Sequence, residues 1–115
     1  MTFSVFLPDA PSRMSAPPAV LYYLGGLTCT DEQGRTKSAV TEHAAKKYLA
    51  LVFPDTSPRG EGVEEVTGEW DFGAGAGFYL NATEEKFKKN YNMATYLTEE
   101  LPKFIDALFF VDSSR

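Results

Sequence analysis

Cysteine, histidine and tryptophan each occur once in this chain, as Cys29, His43 and Trp70, and positive charge is scarce, with 11 Lys and Arg against 16 Asp and Glu. One cysteine cannot close an intramolecular disulfide or supply a multi-thiolate zinc site, so the fold has to hold by packing and no structural metal is expected. A net charge of -5 without a basic cluster excludes a nucleic-acid footprint, because neutralising phosphates requires concentrated Lys and Arg. Small molecules or other proteins are the expected partners. No apolar run approaches the roughly 20 residues that span a bilayer, and the opening MTFSVFLPDAPSR lacks a charged segment followed by an apolar one. Neither membrane association nor secretion is expected, and the expected location is cytosolic. Internal repeats and low-complexity tracts are absent too. What is present is a 115-residue chain, 43% hydrophobic, sufficient for a core and for one domain at most.

Thr2 to Leu7 alternates Phe3, Val5 and Leu7 with Thr2, Ser4 and Phe6 before Pro8 ends the run, which predicts a strand near a sheet edge. Asp9 to Pro18, rich in Pro, Ser and Ala, reads as a loop. Ala19 to Leu24 (AVLYYL) is apolar on both faces and stops at Gly25 and Gly26, which predicts an internal parallel strand covered on both sides. Lys37 to Leu49 has the composition of a helix, and Ala50 to Phe53 is a second short apolar run closed by Pro54 and Asp55. Strand, loop, helix, strand is a βαβ pattern and an α/β fold class. Thr56 to Asn81 holds most of the glycines and no sustained period, and a loop of that length in a compact domain points to a functional role. Met93, Leu97, Leu101, Phe104, Ile105 and Leu108 mark one apolar helix face from Tyr91 to Leu108, with Asn90 or Asn92 as the cap. Pro102 inside that face predicts a kink or break, since its ring would meet the Thr98 carbonyl.

Chemistry is sparse. Leu24 to Thr30 (LGGLTCT) follows an apolar strand, and paired glycines there allow backbone amides to turn toward a developing oxyanion. A Gly-Gly pair after a strand is by itself an ordinary turn. GLTCT, however, is followed in order by DTSPRG at Asp55 to Gly60, WDFG at Trp70 to Gly73, GAGFY at Gly75 to Tyr79 and YLTEELP at Tyr96 to Pro102. With these five motifs in register, from FSVFLP to VDSSR, the chain resembles the S-formylglutathione hydrolases, also called esterase D.

The resemblance implies an α/β-hydrolase fold, of which residues 1–115 would be the N-terminal part of a single domain. It implies a cytosolic, usually homodimeric serine hydrolase that cleaves the thioester S-formylglutathione to glutathione and formate in formaldehyde catabolism, with no metal or organic cofactor. The backbone amide of Leu27 would be one oxyanion-hole donor. Gly26 and Cys29 would lie beside it, Cys29 as the thiol that makes the family thiol-sensitive, and the WDFG and GAGFY segments would line or support the acyl pocket, which nominates Trp70, Asp71 and Phe72. The family's nucleophile stands in a GHSMGG elbow soon after the VDSSR position, and no G-x-S-x-G occurs in these residues. The chain is therefore expected to end before the nucleophile elbow and to be inactive alone. The alternative reading is a non-catalytic binding or dimerising product. The segment that usually precedes FSVFLP is missing, and QGRT at Gln33 to Thr36 departs from the family pattern.

The other candidates read more simply. His43 sits in an Ala- and Lys-rich helix and reads as a surface or structural residue. Cys29 read from its type alone is a small buried hydrophobe as readily as a reactive thiol. Asn81-Ala82-Thr83 is a coincidental sequon without a secretory signal. Gly73, Gly75 and Gly77 lack phosphate-loop spacing, and Glu84 to Lys89 is a solvated face.

Overall fold

Val, Leu and Phe at alternating positions give one strand two apolar faces, and such a strand is stable only where a layer covers each side. In the computed structural model, which describes residues 1–10, 16–63 and 69–115, that strand is β3, Leu49–Pro54. It lies between β1, Phe3–Phe6, and β2, Ala19–Tyr22, in a three-stranded sheet of order β1-β3-β2. β1 runs antiparallel to β3 with Phe3 opposite Pro54 and Phe6 opposite Leu51, and β2 runs parallel with Ala19 opposite Leu49 and Tyr22 opposite Val52. Because side chains alternate along a strand, Leu51 and Phe53 project to one face, where they pack with Ala44, while Val52 projects to the other and packs with Leu101 and Ile105. The sheet is thus the middle of three layers.

The helical layer over Leu51 and Phe53 is two short helices, α1 (Asp31–Lys37) and α2 (Val40–Lys47), instead of the single helix expected from Lys37 to Leu49. α1 starts earlier because Thr30 and Gln33 form a capping box. The Glu32 N–H donates to Thr30 Oγ1 at 3.2 Å and the Thr30 N–H to Gln33 Oε1 at 2.6 Å. Ser38 then bonds back to the Gly34 carbonyl, and Ala39 takes a left-handed conformation (φ 51°) that separates the two helices. The opposite layer is a continuous helical run in which α3 (Met93–Thr95) passes through a π turn (Tyr96–Glu100) into α4 (Leu101–Leu108). The break expected at Pro102 does not occur. The Leu101 N–H donates to the Tyr96 carbonyl five residues back, and this wider turn accommodates the residue that has no N–H to give. Asn92 stands at the N-cap position without a capping bond, its side-chain amide donating instead to the Lys88 carbonyl.

β2 was expected to be internal and covered on both sides. Among the described residues it has one strand neighbour, β3, and Leu21 is 46% exposed. An apolar run establishes that a strand is buried more than most, not which of two such runs takes the centre, and β3 is the one with partners on both edges. The other edge of β2 is met at one end by residues after α4. The Asp112 N–H donates to the Pro18 carbonyl at 3.0 Å and the hydroxyls of Tyr22 and Ser113 lie 3.0 Å apart. The two expected loops fall partly outside the described residues, at 11–15 and 64–68.

Candidate functional site

β2 and β3 end side by side, and the segments that leave them are tied together. After β3 the chain continues through Asp55, Thr56 and Ser57, all buried. A polar triplet in such a place is stable only when its groups are hydrogen-bonded, and each one is. Asp55 accepts the Thr56 N–H at 2.7 Å and pairs with Arg59 Nε at 2.9 and 3.1 Å. Thr56 Oγ1 donates to the Cys29 carbonyl, which also accepts from Arg59 Nη2 at 3.2 Å. Ser57 Oγ accepts the Gly75 N–H at 2.7 Å.

The loop after β2 is therefore fastened from outside. The Cys29 N–H closes a turn onto the Gly26 carbonyl at 3.1 Å, with Leu27 and Thr28 at its centre. Thr28 has φ 65°, a left-handed conformation that a β-branched residue adopts only under strain of order 1–3 kcal/mol, and such strain tends to collect at functional sites. Its N–H donates to the Gly75 carbonyl at 2.7 Å. The Gly25 carbonyl accepts the Tyr79 hydroxyl. Gly77 closes the frame: its backbone lies so near the Gly26–Leu27 peptide that an added Cβ would stand 3.3 Å from both Gly26 C and Leu27 N, and its own φ is 73°. The Leu27 N–H donates to no acceptor among the described residues.

Beside the frame lies a cavity of about 480 Å³, with Gly77 and Tyr79 in its wall and an aromatic row across it. Phe78, Phe72, Phe87 and Tyr91 meet edge to face in succession, with ring centroids 6.0, 5.8 and 5.6 Å apart. Burial, followed by the nearby Cys29 sulfur and the Asp55 carboxylate, pushes the Tyr79 phenol up to about 12. It remains a protonated donor throughout the physiological range.

The structure brings Gly26, Leu27 and Cys29 together in one turn and sets Phe72 in the adjoining cavity. Trp70 and Asp71 do not line that cavity, and Trp70 is 73% exposed. The Cys29 side chain is half-buried, and His43 lies exposed on α2. Sequence reasoning set the GAGFY segment, with Gly77 and Tyr79, beside the pocket, where the cavity has them, but gave Tyr79, Gly77, Thr56 and Arg59 no part in holding the turn. Their only signal was membership in the GAGFY and DTSPRG motifs, since each acts on a residue at least 27 positions away.

Comparison with known proteins gives this frame a family. The esterase family model, described as "Putative esterase", matches residues 1–115. S-formylglutathione hydrolase of Mus musculus is 48% identical over 115 residues, covering all of this chain and 40% of the relative, and that of Arabidopsis thaliana is 51% identical over 109 residues, covering 95% and 38%. The solved S-formylglutathione hydrolase from Agrobacterium tumefaciens superposes with a TM-score of 0.88 at 44% identity, over 98% of this chain and 40% of that one. The expected α/β-hydrolase fold accordingly holds for the three strands and helical layers seen here, while the chain spans about 40% of the length of these relatives. A match of the family model from residue 1 to residue 115 means that the chain belongs to the esterase family.

Proposed function

We propose that residues 1–115 are the first part of one α/β-hydrolase domain and supply half of the oxyanion hole of an S-formylglutathione hydrolase. The observation that carries this reading is the Leu27 N–H, left without an acceptor in a strained turn that is held by bonds on either side of it. Pre-organised donors of this kind stabilise charge as it develops and need no rearrangement at the moment of reaction. In the proposed reaction a serine supplied by polypeptide outside these residues attacks the formyl carbon. The carbonyl electron pair moves onto oxygen, where the Leu27 N–H and an amide following the serine hold it. Collapse of the tetrahedral intermediate breaks the C–S bond and releases glutathione, its sulfur protonated by the imidazolium of the serine's base, and water then cleaves the formyl ester to give formate. No cofactor is required. Phe72 and the aromatic row would form one wall of the substrate pocket, beside the turn that carries Gly26 and Cys29. Trp70 and Asp71, which the resemblance nominated for the same pocket, would act there only through polypeptide beyond these residues. The family's cytosolic setting, homodimeric state and part in formaldehyde catabolism belong to the same reading. Among the described residues no helix is long and apolar enough to cross a membrane.

The test uses a chimera in which residues 1–115 replace the matching 40% of the Mus musculus enzyme. Leu27→Ala keeps the N–H and is expected to hold kcat within about threefold, whereas Leu27→Pro deletes it and is expected to lower kcat by about 10²–10³. Circular dichroism and a melting curve establish that each variant is folded, because proline also restricts Gly26 before it. A folded Leu27→Pro variant with the activity of Leu27→Ala would place the donor elsewhere.

A further inference from the structure

Two consecutive glycines precede Leu27, so local backbone preference does not fix the direction of its N–H. The direction has to be imposed by other parts of the chain. On the C-terminal side of the peptide the hold is redundant, with Thr28 bonded to Gly75 and the Cys29 carbonyl bonded to both Thr56 and Arg59. On the N-terminal side the Gly26 carbonyl is bonded only within the turn itself, to the Cys29 N–H. The Gly25 carbonyl has one hydrogen-bond donor among the described residues, the Tyr79 hydroxyl. The Tyr79 ring is half-buried in the cavity wall with its hydroxyl on that carbonyl.

We infer that Tyr79 is a positioning residue for the oxyanion donor, its hydroxyl holding the Gly25 carbonyl so that the Gly26–Leu27 peptide, pressed against Gly77, keeps the Leu27 N–H aimed at the reacting carbonyl. The inference rests on the function proposed above and extends it to a residue whose hydroxyl acts through the Gly25 carbonyl. Without the hydroxyl, the Gly25–Gly26 pair regains its freedom and the N–H samples directions away from the oxyanion. Misplacement by about 1 Å at a reacting centre is enough to cost up to 10²-fold in rate.

The experiment compares Tyr79→Phe with Leu27→Pro in the same chimera. Tyr79→Phe removes one oxygen and leaves the ring in the wall. The expected result is a kcat about tenfold lower, KM within about twofold, and a tetrahedral boronate inhibitor weakened by the same factor as kcat, intermediate between the parent and the ~10²–10³ loss of the donor itself. Tyr79→Phe at parental kcat, alongside an impaired Leu27→Pro, would overturn the positioning role and leave the function standing. A Leu27→Pro variant as active as the parent would overturn the function instead. A Tyr79→Phe effect confined to KM or to melting temperature would show a merely structural residue and would also overturn the proposal. On the 115-residue chain itself, Tyr79→Phe is expected to shift the Leu27 amide resonance and speed its hydrogen exchange. An unmoved Leu27 resonance counts against the proposal whether or not the chimera folds.

Discussion

Gly34→Ala in α1 sets two effects of known size against each other. Alanine is the better helix former by about 1 kcal/mol in a helix interior, and α1 is a seven-residue helix with little stability of its own. On propensity alone the substitution should stabilise. The Cβ, however, would stand 2.7 Å from Tyr23 Cδ1 and 2.9 Å from Phe53 Cδ1, well inside the ordinary carbon contact of about 3.5–4.0 Å. Those two rings pack on each other with centroids 5.6 Å apart and close over the glycine. Tyr23 is partly exposed and can swing away, but Phe53 is fully buried against Ala44 and Leu51 and cannot. Overpacking of this kind costs roughly 1–3 kcal/mol, and displacing Tyr23 sacrifices part of an aromatic pair worth about 0.5–1.5 kcal/mol. The clash wins, with a net destabilisation of about 1–2 kcal/mol. Urea unfolding of the chain measures it as a lower midpoint at unchanged slope, and Gly34→Ala in a Tyr23→Ala background should recover part of the loss. Stabilisation by Gly34→Ala in the parent background would refute the packing argument and with it the seating of α1, which begins just after the turn at Gly26 to Cys29.

Two further expectations follow from the packing and the buried phenols. Ile105→Ala, at a fully buried position against Val52 and Leu101, should cost about 2–5 kcal/mol by urea unfolding, whereas Phe104→Ala beside it, exposed and meeting the Phe3 ring edge to face, should cost well under that. Tyr79 and Tyr96 are both raised to about 12, chiefly by burial, and Tyr22 is raised too, so ultraviolet titration should show Tyr79 and Tyr96 ionising well after an ordinary phenol near 10. A folded-state pKa above the unfolded one means that the native state keeps its protons longer, so the contribution is complete below pH ~10 and disappears as pH rises toward ~12. A stability that rose across that window would contradict the burial of these rings.

How much was legible in the sequence depended on how local the determining interaction is. The strand at Leu49–Pro54 follows from its apolar run and closing proline, and its βαβ relation to Ala19–Tyr22 follows from the helix between them. The earlier start of α1 was written in Thr30 and Gln33, a capping box whose spacing is fixed within four residues, but the Ala and Lys density further on masked it. Pro102 gave the right warning and the wrong outcome. A clash with the Thr98 carbonyl has two solutions, and whether a helix breaks or widens into a π turn depends on packing at Leu101 and Ile105, which the sequence does not display. The turn at Gly26 to Cys29, proposed above as the oxyanion turn, was singled out from its glycines and from family resemblance. Its supports at Thr56, Gly75, Gly77 and Tyr79 were not, because hydrogen bonds across 27 to 54 positions leave no periodic trace.

The most direct test of the account replaces the single peptide bond preceding residue 27 by an ester, using the hydroxy-acid analogue of leucine in the Mus musculus chimera. This keeps the side chain and nearly all of the backbone geometry and removes only the N–H. The account predicts a folded enzyme with unchanged KM and a kcat lower by about 10²–10³, equivalent to about 3–4 kcal/mol of transition-state stabilisation. A kcat within about threefold of the amide parent, far short of that loss, would contradict it.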